Sequence, residues 1–376
     1  MKKYIFLVMM AVSMMFCAAG AEKTGKLSDE TLRRYAAQML MVGFKGDSID
    51  ENSDAVGYVR DLHVGGIILF DVDLTGSATI GSRNITSKEQ LAKLTSDLRR
   101  YADYDLLIAV DQEGGRVCRL KEQYGFQPTV SAEYLGEVNN RDTTYMYGER
   151  IAREMAEVGL NVNLAPLLDV NVNKDCPVIG KLHRSFSSDA QVVADNAGWF
   201  IDAHHAHGVL CSVKHFPGHG SAASDSHYGL TDVTDTWKRE ELEPFRQMVE
   251  ADKVDMIMTA HIFNRQLDKN LPATLSKDII QGVLRDELGF DGVVVTDDMY
   301  MQGIIDHYSI KDAVVLAINA GADMLVMGNN ISTGFEPDRP FHIVDMIVKA
   351  VKDGEISEQR LIESHNRIEK LLKRLK

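Results

Sequence analysis

Short apolar runs alternate with amphipathic stretches along most of this chain. Runs of four to six mainly apolar residues indicate buried β-strands, and they lie at residues 64–69, 106–110, 162–165, 209–213, 255–259, 292–295 and 323–327. Between them, apolar positions recur at helical spacing, and the stretches that stop at a glycine are residues 147–158, 190–207, 276–288 and 310–320. Glycine is favoured just past a helix end, so the pattern predicts strands and helices in alternation.

This alternation sets the expected fold. Continuous apolar strands that are each followed by a helix indicate a parallel sheet covered by helices. Seven or eight such units in roughly 300 residues favour a (β/α)8 TIM-like barrel with irregular first units, and an open doubly wound sheet is the alternative. Residues 357–376 are predicted to form one closing helix, and the sequence shows neither an internal repeat nor a linker. We therefore expect a single barrel domain over residues 22–376.

The first residues do not fit this pattern. Lys2 and Lys3 make a basic start, an apolar run follows at residues 5–16, and Ala19-Gly20-Ala21 matches the small residues of a signal-peptidase site. The apolar run is too short to span a membrane comfortably. The sequence thus predicts a signal peptide at residues 1–21 and an exported protein, periplasmic or extracellular, that is not inserted in the membrane after cleavage.

Cys17 offers an alternative at the same place, since a lipidated cysteine would anchor the protein. Phe16 disfavours it, because a small residue is expected before a lipidated cysteine. Removing the leader with its two lysines takes the formal net charge from -14 to -16, and no basic block remains. Such a chain is not expected to bind nucleic acid or anionic membranes. Three cysteines are left after cleavage, namely Cys118, Cys176 and Cys211. Their spacing is typical neither of a disulfide framework nor of a zinc site.

Polar side chains follow four of the predicted strands at the point where each strand ends. These residues are Asp111, then Lys214 with His215, then His261, and finally Asp297 with Asp298. In a (β/α)8 barrel the carboxyl ends of the strands form the active-site face. Each residue alone could cap a turn or a helix, but four strands that deliver such groups to one mouth favour a site.

The longest polar motif begins at the fourth of the predicted strands. Lys214-His215-Phe216-Pro217-Gly218-His219-Gly220 leads into a loop, because proline and glycine there force the chain out of regular structure. Asp225 and His227 follow on that loop, two residues apart. A carboxylate at that spacing can fix the tautomer of an imidazole and stabilise its charged form, which suits a group that donates a proton and later removes one.

These groups fit the cleavage of a glycosidic bond with retention of configuration. That reaction needs a carboxylate nucleophile on one face of the sugar and a proton donor near the leaving oxygen. Asp297 fits the first role, and Asp298 competes for it, although neighbours along an extended strand point to opposite sides. The donor could be a further carboxylic acid or His227.

Three stretches together carry a family resemblance. Residues 111–117 (DQEGGRV), the motif 214–220 with 225–227, and residues 296–299 (TDDM) resemble the family 3 glycoside hydrolases, and among them the bacterial β-N-acetylglucosaminidases, also called β-N-acetylhexosaminidases. The resemblance implies a (β/α)8 barrel and a retaining mechanism that uses no metal or other cofactor. It implies that Asp297 is the nucleophile and that Asp225 and His227 form the acid/base dyad. It also implies a set of sugar ligands, namely Asp111, Arg119, Arg184, Lys214 and His215.

The expected function is therefore an exported exo-β-N-acetylglucosaminidase whose partner is a carbohydrate, as in cell-wall fragments or related glycans. A phosphorylase on the same barrel is one alternative, because an imidazole acid/base would not repel incoming phosphate. A metal-dependent hydrolase could use ligands from the set His215, His219, Asp225 and His227, but Lys214 beside them would repel the ion. A non-catalytic glycan-binding protein would need neither Asp297 nor His227.

Overall fold

Eight parallel strands close into a barrel in the computed structural model, which describes residues 26–76, 78–225, 229, 231–331 and 334–375. We number them β1 (Leu40–Val42), β2 (Gly66–Ile68), β3 (Leu107–Val110), β4 (Val162–Asn163), β5 (Leu210–Phe216), β6 (Met256–Thr259), β7 (Val293–Asp298) and β8 (Met324–Met327). Each strand pairs with the next, and β8 pairs with β1. The (β/α)8 prediction is confirmed and the open sheet is wrong.

Some predictions lie outside the described residues. The signal peptide at residues 1–21, including Cys17, is one, and His227 is the other. Both stay predictions. In the part of the chain that is described, no helix is long and apolar enough to cross a membrane.

The first strand is the one that the sequence pattern missed. Leu40–Val42 has only three residues, and it follows the helix Asp29–Gln38 after a single residue, Met39. The amphipathic helix therefore runs into the short strand with no glycine or proline to divide them. Pairing with β8 on one side and β2 on the other decides the conformation, which local pattern cannot show.

Helices form an outer layer around the barrel. The longer α-helices are Asp29–Gln38, Lys88–Tyr101, Arg141–Glu157, Ala190–His205, Glu243–Glu250, Ile310–Ala320, Arg339–Lys352 and Glu358–Leu372. Shorter α-helices are Asp54–Val56, Ala132–Val138 and Gln302–Ile305; π-helical turns are Gly57–Leu62 and Asp278–Glu287; 3-10 turns are Glu122–Tyr124, Gly180–Leu182, Arg239–Leu242, Ala273–Leu275 and Lys373–Leu375. The helix predicted at residues 310–320 is found with the same bounds, whereas the one predicted at 276–288 is a π-helix over Asp278–Glu287.

The barrel interior is apolar and is closed at its amino-terminal end. Side chains from the strands, including Leu107, Met256 and Val295, form one buried cluster with Ile368 and Leu371 of the last helix. Serine or asparagine side chains cap several outer helices, as Ser357 does for the last one. Packing fills the amino-terminal end of the barrel. In (β/α)8 barrels the opposite, carboxyl-terminal end carries the active site.

Two small sheets build up that carboxyl-terminal end. Gln112–Gly114 pairs with Val117–Cys118 in an antiparallel hairpin, and Thr231–Asp232 pairs in parallel with Ile262–Phe263. The hairpin turns at Gly114, whose φ is 96°, and a Cβ added there would lie 2.5 Å from the carbonyl oxygen of Val130. Glycine is required at this turn, and the turn brings the chain from the end of β3 back over the mouth.

Candidate active site

The longest strand brings two neighbouring predicted residues to the mouth. The sequence pattern ended this strand at residue 213, whereas β5 extends to Phe216 and so includes Lys214 and His215. Its pairing with β6 shifts register between Val213 and Phe216, and the Lys214–His215 peptide bond is cis. A bulge of this kind re-aims side chains, and both residues here contact carboxylates at the carboxyl-terminal end of the barrel.

Lys214 is the centre of a buried ionic network. Its Nζ lies 2.7 Å from Asp111 Oδ1 and 2.8 Å from Glu113 Oε1, and the residue is 2% exposed. Burial alone would lower the pKa of Lys214, but the two carboxylates raise it above its ordinary value. The ammonium group therefore stays charged, and these carboxylates take two of its three donors.

Arg184 completes the network from the far side of Glu113. Its Nε and Nη2 donate to the two Glu113 oxygens at 2.8 and 2.7 Å, and its Nη1 donates to the carbonyl oxygen of Val178 at 2.7 Å. Burial would raise the pKa of Glu113, but Arg184 and Lys214 lower it to about 2. Arg184 thus orients Glu113, which in turn holds Lys214, and its predicted role as a sugar ligand stays a prediction.

Arg119 is the fourth predicted sugar ligand, and it bridges two carboxylates. Its Nη2 lies 3.9 Å from Asp111 Oδ2, and its Nη1 lies 3.9 Å from Asp71 Oδ1. Asp71 follows β2, is fully buried and also pairs with Lys121. Asp111 itself is only partly covered, with 18% of its side chain exposed. The hairpin therefore presents Arg119 and Asp111 together at an accessible edge.

His215 belongs to a second cluster beside the first. Its Nδ1 lies 2.7 Å from Asp169 Oδ2, and Asp169 Oδ1 accepts the backbone N–H groups of His215 at 3.2 Å and His219 at 2.7 Å. Burial would raise the pKa of Asp169, but His215 lowers it below its ordinary value. An imidazole that donates from Nδ1 keeps Nε2 as an acceptor, so Asp169 sets the tautomer of His215.

Asp297 and Asp298 end β7, and the structure separates their surroundings. Asp298 accepts backbone N–H groups of Tyr300 at 3.0 Å and Gly328 at 3.2 Å, one on each carboxylate oxygen. Burial raises the pKa of Asp298 to about 6. Asp297 accepts the N–H of Asp298 at 2.8 Å, and both residues are partly exposed at the end of the strand. Asp298 is therefore engaged with the backbone between β7 and β8, which leaves Asp297 as the better candidate for the nucleophile.

His261 supports this strand end. It is fully buried, with Nδ1 2.9 Å from Thr274 Oγ1 and Nε2 2.9 Å from the carbonyl oxygen of Asp298. The sequence pattern grouped His261 with the other strand-end residues as a possible part of the site. The structure shows its contact with Asp298, through which it holds the end of the strand that carries Asp297.

The predicted dyad is only partly described. Asp225 lies on the loop after β5 and is partly exposed, whereas His227 lies outside the described residues. The pairing of the two therefore stays a prediction. Across the described ranges, no group of three or more histidine, cysteine or acidic side chains could hold a metal ion, and the buried His204 instead contacts Asn163 and the carbonyl oxygen of Phe200.

Sequence reasoning gave no role to four residues that build this site. Glu113 belongs to the motif at residues 111–117, two residues after Asp111. That spacing on a hairpin strand was the one feature that could have marked it. Asp169 lies in the loop after β4, and Asp71 lies in the loop after β2. Only their position after a strand marks them. Glu241 is the fourth, a buried carboxyl below the loop that follows β5.

Known proteins resemble this chain in sequence and in fold. Residues 31–371 match the family model described as the glycosyl hydrolase family 3 N-terminal domain. This chain belongs to glycoside hydrolase family 3. A β-hexosaminidase of Tolumonas auensis is 35% identical over 294 residues, which are 77% of this chain and 83% of that protein. β-Hexosaminidase A of Pseudoalteromonas piscicida is 34% identical over 80% of this chain, and the match covers 53% of that protein.

Solved structures give the same result. A family 3 β-N-acetylglucosaminidase from Paenibacillus sp. str. FPU-7 superposes with a TM-score of 0.82 at 36% identity, covering 93% of this chain and 63% of that one. A β-N-acetylhexosaminidase from Beutenbergia cavernae gives 0.78 at 27% identity, covering 93% and 99%. The chain thus spans about half to two thirds of some relatives and nearly all of others. The resemblance to the β-N-acetylglucosaminidases of family 3 is confirmed.

Proposed function

We propose that this protein is a retaining exo-β-N-acetylglucosaminidase. The observation that carries the proposal is the network at the mouth of the barrel, in which Lys214, Asp111 and Arg119 lie together. Asp297 lies at the same carboxyl-terminal end of the barrel, near the end of β7. The similar hexosaminidases add support for the substrate class. Some of the similar proteins extend beyond the part that this chain matches.

In the proposed mechanism Asp297 forms a covalent bond with the substrate. Its carboxylate attacks the anomeric carbon as the bond to the leaving oxygen breaks, and His227 gives that oxygen a proton. Water then attacks the same carbon from the face that the leaving group vacated, gives its proton to His227 and frees the Asp297 carboxylate. Asp225 would stabilise the imidazolium that forms in the second step.

The network would bind the terminal sugar. Lys214 and Arg119 can donate to hydroxyl oxygens, and Asp111 can accept from hydroxyl groups. His215, held by Asp169, can accept through Nε2. A hydroxyl in the wrong position would leave such groups unpaired, at a cost of roughly 1–3 kcal/mol per group, or about one to two orders of magnitude in kcat/KM.

Aryl β-glycosides of N-acetylglucosamine, N-acetylgalactosamine and glucose test the substrate class. We expect the highest kcat/KM for the N-acetylglucosaminide, with a free sugar as product even in phosphate buffer. Equal or faster turnover of the plain glucoside would refute the N-acetyl preference and leave the family intact. A sugar 1-phosphate as the main product would show a phosphorylase instead.

We further propose that the protein is exported and acts on cell-wall fragments or related glycans. The basic start, apolar run and Ala19-Gly20-Ala21 of the leader support export, and the acidic mature chain fits a soluble enzyme. Amino-terminal sequencing of the protein from its native cell should give Glu22 as the first residue. A start at Cys17 with the mass of a lipid would show an anchored lipoprotein, contrary to the proposal.

A further inference from the structure

A buried glutamate lies under the loop that follows β5, and the proposed mechanism does not use it. Glu241 belongs to the 3-10 turn Arg239–Leu242 and is 0% exposed. Its Oε1 accepts the backbone N–H of Lys238 at 3.3 Å. Among the described residues Glu241 forms no ion pair, and a buried carboxyl group without one needs a structural or functional reason, because its desolvation is costly.

The first residues of the loop pack directly on this side chain. Gly218 has a φ of 118°, and a Cβ added to it would lie 2.8 Å from the Cβ of Glu241. Trp237 lies just before the same 3-10 turn, and its Nε1 donates to the carbonyl oxygen of Pro217 at 3.0 Å. The segment that carries Trp237 and Glu241 therefore holds the loop at its first two residues.

The carboxyl group also faces the next part of the loop. Both Glu241 Oε2 and the hydroxyl of Ser221 are buried, and neither has a hydrogen bond of standard geometry to another described residue. Burial raises the pKa of Glu241 to about 7, whereas its approach to Ser221 and to the Lys238 N–H acts in the opposite direction. A neutral carboxyl can accept through one oxygen and donate through the other, which suits a side chain between Lys238 and Ser221.

Asp169 fixes the same part of the chain from the barrel side. It accepts the backbone N–H groups of His215 and His219, and Gly220 lies so close to β4's loop that an added Cβ would be 1.7 Å from the carbonyl oxygen of Val170. Residues 215–221 are thus clamped between Asp169 and Glu241. Asp225 follows only four residues after Ser221, so its place depends on this clamp.

We propose that Glu241 is a positioning residue for Asp225, the carboxylate of the proposed acid/base pair. The inference rests on the proposed function, because it takes that pair as the source of the proton. Glu241 acts through the backbone of Gly218 and Ser221 and does not touch the substrate. Its loss would displace Asp225, and so weaken the proposed protonation step, while leaving the nucleophile and the sugar ligands in place.

This role predicts a specific kinetic signature. Leaving groups that need protonation depend on the donor, and activated ones do not. Replacement of Glu241 by Ala or by the shorter Asp should therefore lower kcat/KM for phenyl β-N-acetylglucosaminide roughly tenfold or more beyond the loss for the dinitrophenyl substrate. Glu241→Gln keeps one acceptor and one donor, so it should retain the leaving-group dependence of the unaltered protein.

The matched control is Glu154→Ala. Glu154 is 7% exposed and accepts the backbone N–H of Gln127 at 3.0 Å, and it lies on the outer helix Arg141–Glu157 away from the loop. Its loss should affect both substrates equally. If Glu241→Ala does not fold, Glu241→Asp and Glu241→Gln still decide the question, with folding checked by circular dichroism.

The His227→Ala variant separates a failure of the positioning role of Glu241 from a failure of the proposed acid role of His227. Equal losses for both substrates in the folded Glu241 variants, while His227→Ala shows strong leaving-group dependence, would overturn the positioning role alone. Equal losses in His227→Ala would overturn the proposed acid role of His227, and with it the basis of the inference. Strong dependence in both, with rescue in Glu241→Gln, supports the positioning role.

Discussion

The two ends of the barrel hold similar ionic networks with different roles. At the amino-terminal end Asp323 is fully buried: Oδ2 accepts from Arg285 at 2.7 Å and Val294 N at 3.0 Å, and Oδ1 accepts from Ser364 at 3.0 Å and pairs with Arg360. Every oxygen has at least two donors. This carboxylate joins the closing helix to the strands and has no capacity left for a ligand.

At the carboxyl-terminal end the corresponding carboxylate is open. Asp111 pairs with Lys214 through Oδ1, but its Oδ2 lies 3.9 Å from Arg119, beyond hydrogen-bond distance, and 18% of its side chain is exposed. The number of ion pairs therefore does not mark the functional end. Unfilled acceptor capacity together with solvent access does, and this distinction can be tested by breaking each network.

The largest effect is expected within the open end, at β7. Asp297→Ala removes the attacking group, so kcat/KM should fall by several orders of magnitude with little change in stability. Asp298→Asn keeps only one acceptor oxygen for the N–H groups of Tyr300 and Gly328, so it should lose roughly 1–3 kcal/mol of stability. Its loss of kcat/KM should be much smaller than that of Asp297→Ala. Steady-state kinetics and urea unfolding of both variants measure this. The reverse ranking of activities would exchange the two roles.

Breaking the closed network should affect stability alone. Asp323→Asn leaves Arg285 as a buried charge without its acidic partner, at a cost of about 3–5 kcal/mol in the free energy of unfolding. The kcat/KM of the folded fraction should stay close to that of the unaltered protein, because no contact of Asp323 reaches the mouth. Urea unfolding and kinetics below the transition provide the check, and a selective loss of kcat would show that the two ends are coupled.

Breaking the open network should do the opposite. Lys214→Met removes the central cation, so a sugar hydroxyl loses its donor and Asp111 and Glu113 repel each other. We expect kcat/KM to fall by roughly one to two orders of magnitude. Lys181→Met, at a surface position of the loop after β4, is the matched control and should leave kcat/KM unchanged. Equal kinetics for the two variants would remove Lys214 from the proposed site.

The smallest effect concerns pH and the carboxyl group of Glu241. Its pKa is about 7 in the folded protein and 4.5 as the ordinary value, so the unfolded chain releases this proton first as the pH rises. The stability that Glu241 contributes is complete below about pH 4.5 and is lost as the pH approaches 7. Glu241→Gln does not titrate and should gain about 1–3 kcal/mol relative to the unaltered protein between about pH 5 and pH 8. A constant difference across this range would mean that Glu241 is ionised throughout.

The strand pattern predicted the barrel because each buried parallel strand is a continuous apolar run, and only Leu40–Val42 escaped, since it joins a helix without a break. The motifs predicted Asp111, Arg119 and Lys214, which the structure brings together. Glu113 and Asp169 could not be assigned in advance, because their roles arise from contacts with Arg184 and His215 across the fold. Glu241 carries no local signal at all, since its burial depends on a loop that precedes it by about twenty residues.

The most direct test of the proposed function is the covalent intermediate itself. Incubation with a fluorinated, slowly hydrolysed N-acetylglucosamine-type substrate, followed by peptide mass spectrometry, should place one sugar on Asp297. Asp297→Ala should carry no label, and His227→Ala should still be labelled when the leaving group is activated. A label on Asp298, or none while turnover continues, would contradict a retaining mechanism through Asp297.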